Sequence, residues 1–359
     1  MLKPFTPNYL PISLSEDNII YLYKLTIDAR VKIERFNSLL ERSIISDEAL
    51  VFFSLHESIE STRIEGTQTT FSQIMESDIT GESNNDIQEV KNYLDALEYG
   101  KQKLKLIPIS TRMFFELHSI ILKDSRGQNR SPGEYRKIQN FIGPTSNIKD
   151  ATYIPPEPNL ISDYMSNLEK YINDDYEDNL DYLIRAGIIH AQFESIHPFL
   201  DGNGRLGRIL IMLYLLDKKV ISKPSFFLSE ELEKNKYKYY GLLNNLRTTT
   251  PKWKDWLEFF LISSAKQANK NIEKLTKIES LSNNLLNYAK EHGIRKDLID
   301  FIFRKPFFTV NDVQTNLNIS YNTANSHIQK LLASNKIFPD DRKRNRIFRF
   351  YEILDILES

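Results

Sequence analysis

Among its 359 residues the chain has no cysteine. That excludes disulfides, thiolate nucleophiles and cysteine-ligated zinc, and it agrees with a reducing compartment. Glycine is scarce too, at 12 residues, while long segments carry helical periodicity; together these indicate a mainly α protein. An excess of one charge is also lacking. Lys+Arg number 47 and Asp+Glu 48, for a net charge of -1, so a globally basic nucleic-acid binder is not indicated, although a local basic patch fits inside that average. The longest uninterrupted apolar run, Ile209 to Leu216, is too short to cross a bilayer and reads as a core helix. The opening residues, Met1 to Pro7, show no signal-peptide apolar stretch. A soluble, cytoplasmic protein without a membrane partner is the expectation. Hydrophobic residues make up 41% of the chain, enough for a sizeable core and for two or more domains.

Apolar periodicity predicts helices over 15–45, 46–65, 87–104, 110–123, 159–173, 180–195, 204–218, 230–247 and 252–292. Residues 70–90 are polar, with a turn cluster at 81–86. The stretch 133–158 stands apart. It holds Gly133, Gly143-Pro144 and Pro155-Pro156 around β-prone pieces at 141–142 and 152–154, which predicts a hairpin or extended flap. From about 295 the outline is helix (309–317), turn with Ser320 as N-cap, helix (321–335) and two short strands flanking the basic run 340–346. That is the outline of a winged helix-turn-helix.

The densest chemistry lies in His197-Pro198-Phe199-Leu200-Asp201-Gly202-Asn203-Gly204-Arg205-Leu206-Gly207-Arg208. It sits between two helical patterns, so it reads as a loop entering a helix. Gly202, Asn203 and Gly204 at a helix N-terminus let unpaired N–H groups approach an anion. Arg205 and Arg208, three apart, lie on one side of the first turns and suit bidentate phosphate contacts. Asp201 offers a hard oxygen to Mg²⁺. His197 titrates near neutrality and can take a proton from a hydroxyl. Two alternatives stand beside this reading: a tight interhelical turn with solvated arginines, and a zinc site of His190, His197 and Asp201. The zinc spacing lacks the His-Glu-x-x-His form, and His190 fits packing within its own helix better.

The run resembles the signature of the Fic family, His-x-Phe-x-Asp/Glu-Gly-Asn-Gly-Arg-x-x-Arg, and matches it without departure. The resemblance implies transfer of AMP from MgATP to a hydroxyl side chain of a target protein, with pyrophosphate leaving. His197 would be the base, Phe199 the core anchor of the loop and Asp201 the Mg²⁺ ligand. Gly202, Asn203 and Gly204 would form the anion nest, Arg205 would hold the phosphates and Arg208 the γ-phosphate. The related Doc branch carries lysine where this chain has Gly204, and it phosphorylates; glycine here favours nucleotidyl transfer.

A second motif is Ser61-Thr62-Arg63-Ile64-Glu65-Gly66. Gly66 is placed to cap the helix over 46–64, so Glu65 falls in its last turn, where the helix dipole disfavours a carboxylate and a cationic partner is called for. An ordinary exposed glutamate is the alternative. The segment resembles the inhibitory motif of Fic proteins, Ser/Thr-x-x-x-Glu-Gly/Asn, in the class with an N-terminal inhibitory helix. By that resemblance Glu65 pairs with Arg208 in place of the γ-phosphate, and Ser61 supports the contact.

The resemblance also implies that 136–155 is a flap docking a target segment by β-augmentation, and that Tyr239, Tyr240 or Asn244 lines an adenine pocket, with core packing equally open for the tyrosines. The domain reading is 1–104 for the N-terminal region with the inhibitory helix, 105–265 for a Fic catalytic core, 266–294 for a helical connector and 295–359 for the winged helix. Other openings are self-modification at hydroxyls that include 18 tyrosines, DNA binding through 309–349 by a regulator whose Fic core senses nucleotide, AMP removal with Glu65 positioning water, and a homodimer.

Overall fold

A computed structural model describes residues 3–145, 147–173, 176 and 178–358. The chain is mainly α, as its composition predicts. Ten helices precede a very long one: α1 (Glu16–Arg42), α2 (Ser46–Ile64), α3 (Phe71–Thr80), α4 (Asn85–Lys103), α5 (Thr111–Ile121), α6 (Ile161–Ile172), α7 (Tyr182–Ile196), α8 (Asn203–Asp217), α9 (Ser229–Lys234) and α10 (Lys236–Leu246). Next comes α11 (Trp253–Glu291), then α12 (Lys296–Arg304), β1 (Phe307–Phe308), α13 (Val310–Leu317), α14 (Tyr321–Ala333), β2 (Phe338–Pro339), β3 (Phe348–Arg349) and α15 (Tyr351–Glu358). The expected boundary at 265 falls inside α11.

Two hydrophobic cores organise these elements. In the first, α7 and α8 form a central antiparallel pair whose residues are buried almost all round, as in Leu183 to Ile196. Helices α1, α4, α5, α6, α10 and the first half of α11 surround it. The second core joins Phe52, Leu55 and Ile59 of α2 and Phe71 and Ile74 of α3 to the far half of α11 and to α12–α15. Helix α2 therefore lies between the cores, because its other face gives Ala49, Phe53 and Ile64 to the first. The C-terminal sheet has strand order β1-β3-β2, antiparallel, with Phe308 opposite Phe348 and Pro339 opposite Phe348 on the other side.

Two expectations change. The polar stretch 70–90 contains a helix, α3, fixed by a capping box between Thr70 and Gln73 and ended by Gly81 at φ 76°. Phe71, Ile74 and Ser77 are its buried residues. The hairpin over 136–155 reduces to a single bridge, Ile142 to Tyr153, with a short 3-10 turn at Ile148–Asp150. Pro144 and Pro155-Pro156 flank that bridge and remove the donors a ladder needs in order to propagate. Ser146 lies outside the described residues.

Candidate functional site

Helix α7 stops because His197 turns left-handed (φ 49°, ψ 61°), its N–H closing on the Phe193 carbonyl at 2.9 Å. Few non-glycine residues adopt that conformation, and Pro198, without an N–H, prevents another turn. The loop that follows is held from several sides. Phe199 is buried under the His118 ring, with centroids 3.9 Å apart. Asn203 spans the loop: its Nδ2 donates to the Phe199 carbonyl and its Oδ1 accepts from the Phe199 N–H, both at 2.9 Å. Asn140 Nδ2 reaches the same carbonyl at 3.1 Å, and Arg136 Nε donates to the His197 carbonyl at 2.9 Å. His118 Nδ1 accepts from the Gly133 N–H at 2.9 Å, so its Nε2 carries the proton donated to the Asp201 carbonyl at 2.9 Å. Burial pushes the His118 pKa down to about 4, which keeps that tautomer neutral.

Gly202, at φ 78°, is the N-cap of α8, and no side chain caps the first N–H groups of the helix. The Asn203 side chain, expected in an anion nest, is committed to bracing the loop. Asp201 stands at its edge. Asp201 Oδ1 accepts from the Gly202 N–H at 2.6 Å and from Arg205 Nη2 at 3.2 Å, and the carboxylate is 42% exposed. One open carboxylate beside a backbone nest suits Mg²⁺, which completes its shell with phosphate and water. Among the described residues no group of three or more His, Cys, Asp or Glu could hold a metal by itself. His190, the third member of the zinc alternative, is fully buried and faces the Gly207 carbonyl at 3.1 Å and the Tyr239 hydroxyl at 2.8 Å.

The two arginines part company. Arg205 is buried, with Nη1 on Glu89 at 3.2 Å and Nη2 on Asp201, so the guanidinium expected to hold phosphates is committed to two carboxylates. Arg208 points to α2. Its Nε donates to Ser61 Oγ at 2.7 Å, and its Nη2 donates to the Ser61 carbonyl at 3.0 Å and to Glu65 Oε1 at 2.7 Å. Burial would weaken the Arg208 charge; Glu65 beside it more than reverses this and holds its pKa above the usual value. Gly204 makes room for the contact, since a Cβ there would lie 2.3 Å from Glu65 Oε1. The pair is aimed by the end of α2. Gly66 sits at φ 103°, its N–H bonded to the Arg63 carbonyl at 3.0 Å and the Thr67 N–H to the Thr62 carbonyl at 3.2 Å. That is a Schellman closure, and it turns Glu65 back over α8.

His197 itself is held as a neutral imidazole. Burial, then the nearby positive charges of Arg247 and Arg136, push its pKa down to about 3. Arg247 lies over the Tyr153 ring at 3.9 Å and donates to the Glu194 carbonyl at 2.9 Å and to Asn244 Oδ1 at 3.0 Å. Of the residues expected to line an adenine pocket, Asn244 and Tyr240 are open, and Tyr240 faces the Glu65–Arg208 pair. Tyr239 differs: it is 1% exposed and bonded to His190, so it packs in the core beneath Tyr240. His118, Arg136, Asn140, Glu89, Glu194 and Arg247 carry no motif signal, and the sequence alone did not single them out.

Comparison with known proteins points to one family. The family model described as Fic/DOC family matches residues 108–215, and the one described as Fic/DOC family N-terminal matches 23–102. The chain is 27% identical over 191 residues to Protein adenylyltransferase Fic of Drosophila yakuba, covering 52% of this chain and 36% of that protein. With the Drosophila virilis protein of the same name it shares 28% over 195 residues, 53% and 37% respectively. The chain thus spans little more than a third of the length of these relatives. Among solved structures, a Fic family protein from Desulfovibrio desulfuricans G20 superposes with TM-score 0.58 at 19% identity, covering 96% of this chain and 98% of that one. A segment of Fic-1 from C. elegans gives 0.55 at 21%, covering 73% and 74%. With both family models spanning its N-terminal helices and its α7–α8 site, and with the signature intact on the loop between those two helices, the chain belongs to the Fic/DOC family.

Proposed function

We propose that this chain is a protein adenylyltransferase that transfers AMP from MgATP to a hydroxyl side chain of a protein and is held off by Glu65. The observation that carries the reading is the Ser61–Arg208–Glu65 contact: a buried guanidinium beside an anion nest, already occupied by a carboxylate of the same chain. In the reaction the acceptor hydroxyl oxygen bonds to the α-phosphorus as the bond to the β-phosphate oxygen breaks, and pyrophosphate leaves. His197, neutral at physiological pH, takes the hydroxyl proton. Asp201 would hold Mg²⁺, which supplies charge neutralisation on the phosphates. The α8 N-terminus receives phosphate oxygens, Arg205 orients Asp201, and Arg208 takes the γ-phosphate once Glu65 leaves. Tyr240 and Asn244 border the base. The segment around the Ile142–Tyr153 bridge offers backbone to an acceptor strand, and acceptors include exposed tyrosines of this chain such as Tyr237, which is 95% exposed.

The test is intact-mass analysis after incubation with ATP and Mg²⁺. Glu65→Gly is expected to gain AMP masses on itself or on an added acceptor at least tenfold faster than wild type, and His197→Ala to abolish the gain in both backgrounds. Equal rates with and without Glu65 refute the brake. A phosphate-mass gain refutes adenylyl transfer, and loss of AMP from a modified acceptor marks the reverse activity.

A second reading concerns the C-terminal module, which we propose binds duplex DNA. A cleft of about 460 Å³ separates α14 from the basic loop and is lined by Tyr321, Asn325, Gln329, Lys343, Arg344 and Arg346. Exposed polar side chains on a helix beside a basic loop suit groove and phosphate contacts. Fluorescence anisotropy with a labelled duplex is expected to show binding at 50 mM salt that weakens steeply by 200 mM and is lost in Lys343→Ala/Arg344→Ala. No binding at low salt removes this reading.

A further inference from the structure

Glu194 is a buried carboxyl that the proposed reaction does not use. It lies on the last full turn of α7, between His190 and His197, and is 6% exposed. Its Oε1 has no hydrogen-bond partner among the described residues. Gly207 of α8 makes room for it, since a Cβ at that position would lie 2.6 Å from Oε1. The neighbouring residue on α8 is Arg208. A buried carboxyl oxygen left unpaired costs free energy, and a role in another state of the protein would account for its being kept.

We propose that Glu194 is a positioning residue for Arg208, a second carboxyl that shares the buried guanidinium with Glu65 and takes it over when Glu65 withdraws. The inference rests on the reading of Glu65 as a brake. Every charged or titratable group around Glu194 bears on this exchange. Arg208 comes from α8, Glu65 from the end of α2, Tyr239 and Tyr240 from α10, Arg247 from just after it, Tyr153 from the bridged segment, His190 from its own helix and His197 from the cap of that helix, where it meets the Glu194 backbone. Burial pushes the Glu194 pKa up to about 7; Arg208 and Arg247 pull it down, and Glu65 pushes it up. While Glu65 covers Arg208, burial and the Glu65 carboxylate keep Glu194 partly protonated near neutral pH. When Glu65 swings out to solvent, its push on Glu194 is lost, Glu194 releases the proton it holds to water and Arg208 keeps a buried counter-charge. A γ-phosphate arriving at Arg208 then meets a competing anion and binds best when Glu194 is protonated again.

The sign follows from linkage: nucleotide binding favours the protonated carboxyl, so affinity falls as pH rises through the Glu194 pKa. Isothermal calorimetry with a non-hydrolysable ATP analogue and Mg²⁺ on full-length Glu65→Gly, in two buffers of different ionisation enthalpy, reads the proton directly. At pH 7.5 Glu65→Gly is expected to take up about half a proton or more beyond Glu65→Gly/Glu194→Gln. Its Kd is expected to rise about tenfold from pH 6 to pH 8, while the double variant stays flat over that range. Equal proton uptake in the two proteins, or superimposed Kd profiles, overturns the proposal. If the glutamine variant does not fold, a pH-independent Kd in Glu65→Gly alone overturns it. Absence of binding at every pH removes the nucleotide reading and this inference with it, whereas binding without the proton difference removes only this inference.

Discussion

What surrounds His197 suits it to the proposed role of base. An exposed histidine would be half protonated near pH 6.5; here burial and the two flanking arginines hold the ring neutral far below that. A base must be unprotonated to act, so the expected acid limb of kcat in Glu65→Gly lies well below pH 6, with the rate flat from pH 6 to 8. A pH–rate profile under saturating MgATP checks this, and a limb centred at 6.5 would show that the buried arrangement does not persist in the working enzyme. The loop at 197–208 was legible as a turn entering a helix because the residues that end α7 and start α8 are neighbours in sequence. The split between Arg205 and Arg208 was not. Residues three apart on a helix share a side only loosely, and here the offset sends one guanidinium toward Glu89 of α4 and the other toward Ser61 of α2. Arg136, Asn140 and His118 were invisible for a different reason. They hold the loop through the backbone carbonyls of His197, Phe199 and Asp201, and no side-chain pattern encodes such partners.

At the scale of elements, the proposed brake depends on how α2 ends. Its last turn closes through Gly66 in a conformation that an L side chain adopts only with strain, although a Cβ there would meet nothing within 4 Å. Gly66→Ala therefore changes backbone energy alone, by about 1–2 kcal/mol. Because that closure aims Glu65 at Arg208, the substitution is expected to raise basal AMP transfer several-fold and to lower Tm by a few degrees. Glu65→Gly should absorb the activity effect: the double variant Glu65→Gly/Gly66→Ala is expected to match Glu65→Gly in rate. A steady-state comparison of the three proteins decides, and an unchanged basal rate in Gly66→Ala would detach the cap from the brake. The sequence showed this helix end because glycine after a helical run is a local signal. It hid α3, whose buried face rests on Phe71, Ile74 and little else, and it overstated the strands at 136–155, where prolines stop a ladder after one bridge.

Over the whole molecule, α2 joins two cores rather than lying on one. Ala49, Phe53 and Ile64 bind it to the helices around α7 and α8, while Phe52, Leu55 and Ile59 bind it to the C-terminal module. Arg304 of α12 also pairs with Glu48 near the start of α2 at 2.7 Å, and Arg349 of β3 pairs with Glu76 of α3. Pattern reading found the helices of the first core, and of the second it missed α3, α12 and α15; it did not find this sharing, because α2 is apolar on opposite faces and shows no single stripe. The position of Glu65 is consequently set from both sides, and loosening the distal core should loosen the brake. Phe303 tests this: it is 1% exposed, packs edge-on against Phe350 at 5.3 Å and lies in the core that holds the outer face of α2. Phe303→Ala removes a buried aromatic at a cost of about 3–5 kcal/mol. Lower Tm is expected, together with a basal AMP transfer rate several-fold above wild type, although the substitution touches no residue of the α7–α8 site. In the Glu65→Gly background the same substitution should lower Tm equally and leave the rate unchanged, since no brake is left to loosen. A rate increase that persists without Glu65 would place the effect in the catalytic site, and no increase in either background would show that the two cores hold α2 independently.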